Sequence, residues 1–435
     1  MQIFEQAEGR HINSYYTATS KSEAAYPALM TDIEADVCVV GGGFGGISAA
    51  IELAEQGYSV VLLEAVKVAW AASGRNGGQI IGGWSAGYDD IQNKLGSDAA
   101  KMFAGLSEEG KQLIYERAEK YNIDADIKMG YVVTAMYKRH MAYIDDMLNQ
   151  AEKWQYPHKF KRIEGQDIKR HIDTDRYIGG IYDGGNGHFH PLNFAIGEAN
   201  AATSIGVKIY ENSAVIKLEA GDEPTAYTAQ GKVKAKKIIL AGNCYLGSTA
   251  AKLQRKIMPA STFIIATEPL GKEQAKKLMP TDTAVCDLRN ILDYFRLSSD
   301  GRLLFGGKTI YRGVDPKNLA RAMRKDMLKV FPQLAALNID YAWGGHIDLA
   351  VNRMPHLGEY DQNIYFMQGF SGHGVVPAHI AGRVIAEKVM GNTERYDIWH
   401  KIKHPSFPGG TLLRRPGFLL GSGFYYLKDM LDSLR

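Results

Sequence analysis

The run Ala35-Asp-Val-Cys-Val-Val40 stops abruptly at Gly41-Gly-Gly-Phe-Gly-Gly46, and this junction limits the possible folds more than any other stretch of the chain. A β-branched run ending in glycine predicts a buried strand that turns sharply. Beyond it Ile47, Ala50, Ile51 and Ala54 fall at i, i+3, i+4 and i+7, which predicts a helix with one apolar face that stops at Gly57. A second strand, Ser59 to Leu63, leads to Glu64, 18 residues after Gly46. Gly41, Gly43 and Gly46 thus satisfy G-x-G-x-x-G in the strand, turn, helix and strand setting that gives the pattern meaning. There the first glycine makes the turn, the second admits a pyrophosphate against backbone, and the third lets helix pack on strand. The helix N-terminus, beginning around Phe44 and Gly45, offers N–H groups and a positive dipole end to phosphate. Glu64 is placed to accept hydrogen bonds from ribose hydroxyls and would repel a 2′-phosphate. A dinucleotide cofactor is implied, but the fingerprint does not separate FAD from NAD.

At 435 residues the chain exceeds the usual reach of one core, so two joined domains are expected. Residues 91 to 150 read as charged surface helices of a second domain. Lys237-Ile-Ile-Leu-Ala241, ending in Gly242, reads as a buried parallel strand of the first. Residues 250 to 345 mix strand and helix signals, and Asn363 to Gly369 with a helix from Val375 to Met390 closes the first domain. The expected division is a discontinuous cofactor domain of 1–90, 185–250 and 346–435, with a substrate domain of 91–184 and 251–345. The net charge of +3, from 51 basic and 48 acidic residues, gives no reason to expect a nucleic-acid partner. Three cysteines, Cys38, Cys244 and Cys286, far apart and odd in number, give no disulfide or metal framework to expect. No apolar stretch approaches the roughly 20 residues that span a bilayer, and no leader is evident, so a cytoplasmic protein is expected.

A second signal lies just downstream in Ala72-Ser-Gly-Arg-Asn-Gly-Gly-Gln79, which gathers small residues, one guanidinium and two amides. With Ser14-Tyr-Tyr16, His190-Pro-Leu-Asn193, Leu292-Asp-Tyr294, Gln368-Gly369, Ser371-Gly-His-Gly374 and Phe407-Pro-Gly-Gly410, this loop resembles the D-amino-acid-oxidase-like FAD oxidoreductases. The likeness spans nearly the whole chain and is strongest to the branch that oxidises γ-glutamylputrescine. It implies an α/β fold: a Rossmann-like FAD domain of glutathione-reductase type plus an α+β substrate domain with a mixed or antiparallel sheet.

The resemblance also implies site residues. Ala72, Ser73, Arg75, Asn76, Gly77, Gly78 and Gln79 should line the flavin and its pyrophosphate. Ala65 should follow Glu64 at the ribose, Gly242 should face the cofactor, and Val215 should bracket the adenine. Ser371, Gly372, His373, Gly374 and Val375 open a helix whose N–H groups and dipole could face the flavin N1 and C2 carbonyl, where negative charge develops on reduction. Relatives with covalent flavin use a cysteine or histidine that Trp343-Gly-Gly345 and Trp70-Ala-Ala-Ser-Gly74 lack, so FAD is expected to be non-covalent.

Amine oxidation of this kind moves a hydride from the α-carbon of a neutral amine to flavin N5 and needs orientation and desolvation more than a base. The candidate pocket residues are Trp84, Tyr88, Tyr294, Arg296, Trp343 and His346, with His373 beside them. Amino-acid oxidases of the family clamp the substrate carboxylate with an arginine on the strand reading here Gly345-His-Ile-Asp348, where none occurs. The expected substrate is therefore an amine without an adjacent carboxylate, its remote amino-acid head anchored by Arg296. Molecular oxygen is the expected acceptor, although the oxygen-activating lysine of some relatives is replaced by Leu304, with Lys308 further on. A quinone or carrier is the alternative. In the tail, Phe424, Leu427, Leu431 and Leu434 share one helical face; packing on the protein's own surface is favoured over membrane association.

Overall fold

The computed structural model describes residues 9–22, 25–311 and 316–432. Two sheets organise it. In the first, Lys208–Tyr210, Val60–Leu63, Ile33–Val40, Lys232–Leu240 and Ile364–Gln368 lie side by side in parallel, and His356–Asp361 closes the edge antiparallel. A small hairpin, Lys217–Glu219 with Thr225–Tyr227, joins through Lys232–Leu240. The central strands are apolar on both faces because both are covered: Val37, Val39 and Leu62 pack under helices Phe44–Glu55 and Val375–Val389, while Cys38, Val40 and Leu63 pack with Leu29, with Ala226 and Leu218 of the small hairpin, and with Leu253 of a short helical turn. Successive connections leave Ile33–Val40 toward opposite sides, so the crevice beyond Val40 and Leu240 is a topological switch point, where open α/β sheets bind ligands.

The fingerprint helix runs from Phe44 to Glu55. A Cβ on Gly46 would sit 2.0 Å from the Gly41 carbonyl and 3.2 Å from Val39 Cγ1, so only glycine allows this approach of helix to strand.

The second sheet has nine strands in the order Ile339–Ala350, Ile257–Thr267, Leu303–Tyr311, Tyr294–Leu297, Ala284–Asp287, Lys128–Ala135, Gly179–His188 and Gln79–Ile80, with Phe160–Glu164 on the far side of Gly179–His188. It is mixed: Ala284–Asp287 and Lys128–Ala135 pair in parallel, the other pairs antiparallel. Helix Leu319–Val330 covers one face with Met323, Met327 and Val330. Gln79–Ile80 and the end of Gly179–His188 place parts of the expected cofactor segments in this sheet, and Ile339–Ala350 runs across the expected boundary at 345.

Two readings of residues 91–150 need correction. A strand, Lys128–Ala135, interrupts the helices, its alternation having been obscured by Gly130 at φ +108°. Helix Ser97–Lys120 is not confined to the outer surface of a substrate domain: Gly110 meets Val376 and Ile380 of helix Val375–Val389, and Arg117 is buried against Glu198. The tail forms a helix, Arg414–Asp432, roofing the cavity described below. Its Phe424, Leu427 and Leu431 are 64, 54 and 52% exposed, so that face is not packed on the protein as expected; Leu434 lies outside the described residues.

Candidate active site

Two cavities meet where the parallel strands end. The inner, of about 260 Å³, is lined by Gly41, Gly43, Phe44, Gly45, Glu64, Ala65, Val215 and Gly242 together with Ala72 and Ser73. The outer, of about 850 Å³, lies over the second sheet. Ala72, Asn76, Gly372, Gly374 and Val375 line both, so the loop after the second strand and the start of helix Val375–Val389 form the junction.

Local chemistry explains how these groups are held. Glu64 accepts from Gly42 N–H at 2.7 Å and Val66 N–H at 3.0 Å, which fixes the carboxylate beside the glycine turn. Burial pushes it up to about 7 despite those bonds. Ser73 Oγ accepts from Phe44 N–H at 2.9 Å, at the N-terminus of the fingerprint helix. Asn76 folds its own loop, donating to the carbonyls of Ala72 and Ser73 and accepting from Gly78 N–H at 2.8 Å. Arg75 donates to the Trp70 carbonyl at 2.6 Å and lies 4.3 Å from the Trp70 ring centroid.

The donor set fits FAD. The glycine backbone in the inner cavity suits a pyrophosphate, and the Glu64 carboxylate suits ribose hydroxyls. Arg75 Nη2 is buried beside the junction with no hydrogen-bond partner among the described residues, a donor awaiting an acceptor.

Helix Val375–Val389 begins after Ser371 at φ +55° and Gly372 at φ +80°, a turn that points the first N–H groups at the junction. Asp348, which the sequence reading quoted without assigning a role, holds this turn. Its carboxylate accepts from Gly369 N–H and from Phe370 N–H at 3.1 Å, its carbonyl accepts from Ser371 N–H at 2.8 Å, and burial pushes it up to about 7. The available signal was an acid between Ile347 and Leu349 in an otherwise apolar run. His373 lines the outer cavity, with Nε2 3.1 Å from the Gly82 carbonyl; a carbonyl only accepts, so Nε2 carries the proton.

Of the residues proposed for a substrate pocket, Tyr294 and His346 do line the outer cavity, His346 with Nδ1 2.9 Å from Tyr245 Oη. The others do not. Trp84 is core, its Nε1 donating to the Phe103 carbonyl and its ring edge-on to Trp399. Tyr88 packs on Trp154. Trp343 lies beneath the cavity, donating to the Arg75 carbonyl at 3.0 Å. Arg296 is 2% exposed and donates to the carbonyls of Gly77, Phe189 and Leu297 and to Tyr16 Oη, so it cannot reach a substrate head group. Gln79, instead of facing the inner cavity, lines the outer one and donates to the Val285 carbonyl at 3.1 Å. Gly46 and Gly78 serve close packing rather than either wall: a Cβ on Gly78 would meet the Phe189 carbonyl at 2.3 Å.

Four cavity residues were not chosen from sequence. Lys308 lines the wall, paired with Asp326, whereas Leu304 is buried in the core. Arg353, at φ +59°, lines the outer cavity with no side-chain partner among the described residues. Phe418 and Tyr425 line it from the tail helix.

Sheet order, fingerprint and two-cavity site define a dinucleotide-binding oxidoreductase with a separate substrate sheet. The chain belongs to the DAO family of FAD-dependent oxidoreductases, whose family model matches residues 36–388. It is 42% identical to the gamma-glutamylputrescine oxidoreductase of Escherichia coli K12, over 97% of this chain and 99% of that one. It is 39% identical to the probable oxidoreductase OrdL of Haemophilus influenzae, over 96% and 97%. Among solved structures, glycine oxidase from Bacillus cereus superposes with a TM-score of 0.69 at 19% identity, over 84% of this chain and 97% of that one. L-proline dehydrogenase from P. horikoshii gives 0.70 at 20%, over 86% and 97%. Those two establish the fold alone. Among the described residues no helix is long and apolar enough to cross a membrane.

Proposed function

We propose that this FAD-dependent oxidoreductase oxidises the primary-amine end of γ-glutamylputrescine to γ-glutamyl-γ-aminobutyraldehyde, with ammonia as co-product. The carrying observation is the 42% identity to the E. coli enzyme over essentially both full chains. The cavity supports it. Its strand Ile339–Ala350 presents Gly345, His346, Ile347 and Leu349 and no arginine, which suits a reacting carbon with no carboxylate beside it. Arg353 takes the place expected of Arg296 as the anchor for a remote carboxylate.

FAD is held non-covalently, in this reading, by Gly41, Gly43 to Gly45, Glu64, Val215, Ser73 and Arg75, with the turn Ser371 to Val375 at the flavin. The chemistry a bound FAD supplies is acceptance of a hydride from the carbon bearing the amine. The chain orients that carbon and excludes water. Tyr294 and His346 wall the cavity, while Phe418, Leu420 and Tyr425 close it from above. An apolar wall favours the neutral amine, whose lone pair assists hydride departure as a proton leaves nitrogen. Water then hydrolyses the resulting imine to aldehyde and ammonia. With oxygen as acceptor, one O₂ takes the two electrons and two protons and leaves as hydrogen peroxide.

Anaerobic mixing of the FAD-loaded protein with γ-glutamylputrescine, putrescine, sarcosine and D-alanine tests the reading by flavin bleaching. Fastest bleaching by γ-glutamylputrescine is expected; faster bleaching by sarcosine or D-alanine would sink it. Admission of air then reads the acceptor: prompt reoxidation with peroxide supports an oxidase, and a persistently bleached flavin means a dehydrogenase.

A further inference from the structure

Helix Arg414–Asp432 has two sides of different character, and the inner one is anchored. Phe418 packs on Met258 and Ala260, and Ser422 and Tyr425 line the outer cavity. Asp429 accepts from Asn290 N–H at 2.9 Å, from Asn290 Nδ2 at 2.6 Å and from Ile291 N–H at 3.1 Å. At the other end Arg414 donates to the Gln254 carbonyl. Arg414, Phe418, Ser422, Tyr425 and Asp429 recur at three- and four-residue steps, so together they fix which side of the helix points outward.

The outward side is apolar. At about 100° per residue, Leu419, Phe424, Leu427, Met430 and Leu431 fall within an arc of roughly 140°. Each of the five is 47–64% exposed, and none of them lines the cavity. Roofing the cavity accounts for the inner side of the helix and not for the outer.

Charge says what covers it. From Lys401 onward the sequence holds six basic residues, Lys401, Lys403, Arg414, Arg415, Lys428 and Arg435, against Asp429 and Asp432, in a chain whose whole surplus is three. Lys401 and Lys403 are exposed on the segment leading to the helix, whereas Asp429 is turned inward to Asn290. A second copy of this face would set like charge against like, because a twofold interface opposes a patch to itself. An anionic bilayer surface meets both demands: acyl chains take the apolar arc and headgroups take the cations.

We propose that the tail helix is an interfacial anchor, which lays its outer side on an anionic membrane and holds the roof of the cavity at the lipid surface without crossing the bilayer. The apolar arc supplies the insertion, and the cations supply the preference for negative headgroups. The proposal rests neither on which amine is oxidised nor on what accepts the electrons.

Vesicle flotation of the FAD-loaded full-length protein tests it. At low salt, binding to phosphatidylcholine vesicles containing about a quarter phosphatidylglycerol should be at least about tenfold tighter than to pure phosphatidylcholine, and it should weaken as salt screens the headgroups. Phe424→Glu combined with Leu427→Glu changes only outward side chains. That variant should bind the anionic vesicles at least about tenfold more weakly, with FAD content and amine-dependent bleaching in the absence of vesicles within about twofold of wild type. Wild-type protein that stays unbound on anionic vesicles at low salt overturns the proposal without any variant. So does a double variant that keeps FAD and binds the vesicles as wild type does. A wild-type dimer that the two substitutions dissociate also overturns it, because a second copy then covers the outer side.

Discussion

Arg296, on the substrate sheet, donates through Nε to the carbonyl of Gly77 at 2.8 Å, so the loop at the cofactor junction is pinned by a guanidinium that never meets the cavity. The same side chain holds the Phe189 carbonyl at 2.8 Å. Arg296→Met strands these carbonyls in an apolar setting, and hydrogen bonds from charged donors contribute about 1.5–3 kcal/mol each. The expected result is a loss of about 2–4 kcal/mol in urea unfolding and at least tenfold weaker FAD retention, read by release of flavin fluorescence. Molecules that keep FAD should show an amine KM within about twofold of wild type. A large KM rise with FAD retention intact would return Arg296 to the role of substrate anchor.

Gly46 and Gly57 separate two reasons for glycine at the ends of one helix. A Cβ on Gly46 would enter the Gly41 carbonyl at 2.0 Å, whereas Gly57, at φ +81°, has nothing within 4 Å of its imagined Cβ. Gly57→Ala should therefore cost only the left-handed backbone strain, about 1 kcal/mol, with FAD still bound. Gly46→Ala must push the helix off its strand and should yield protein without FAD. Absorbance at the flavin band after gel filtration distinguishes them; equal FAD content in both would refute the packing argument.

These contrasts explain what was legible in the chain. The fingerprint could be read because its parts are local: Gly41, Gly43, Gly46 and Glu64 are set by one strand, one turn and one helix. The substrate pocket was not local. Trp84 and Trp343 have the composition of a pocket wall, but which face of an element meets the cavity depends on partners more than a hundred residues away, as where Trp343 donates to the Arg75 carbonyl. Arg296 and Arg353 look alike in sequence. Only the neighbouring carbonyls of Gly77 and Phe189 make one structural and leave the other facing the cavity.

Buried and half-buried histidines set the acid limit of stability. Burial, the largest cause in each case, brings His188 and His190 down to about 3, His356 to about 2, and His11 and His404 to about 4. Below the unfolded value of about 6.5 the unfolded chain binds protons that the folded one refuses, so stability falls as pH drops. Glu64 and Asp348, raised to about 7, and Asp293, raised to about 6, act oppositely: the folded state keeps their protons, and stability falls as pH rises from about 4 toward 7. His171 and His373 are lowered by burial as well and Asp183 is raised by it, while partners hold Asp36 low and, against burial, Glu109, Asp300 and Asp326 too. The balance therefore favours loss of stability on acidification. Urea midpoints of the FAD-free protein should be lower at pH 5 than at 6.5. His188→Gln should flatten that dependence by up to about 1.4 kcal/mol per pH unit, one proton's worth. A midpoint that is higher at pH 5 would contradict the assignment.

Arg353 carries the last prediction, because its position separates recognition of the substrate's far end from chemistry at the near end. It lines the outer cavity with no side-chain partner among the described residues, while the other lining cations are engaged, Lys308 with Asp326 and Arg75 with the Trp70 carbonyl. A carboxylate on a γ-glutamyl head would complete a charge-assisted pair, and removing one partner of such a bond costs about 1.5–3 kcal/mol, roughly 10- to 150-fold. Arg353→Gln should raise KM for γ-glutamylputrescine by at least about tenfold, while turnover of putrescine, which has no carboxylate, changes by less than about threefold. Arg353→Lys should recover part of the loss, since it restores the charge without the planar fork. Steady-state kinetics with both amines decides it. An equal loss on both would mean that Arg353 shapes the cavity as a whole, and unchanged KM on both would place the glutamyl head elsewhere.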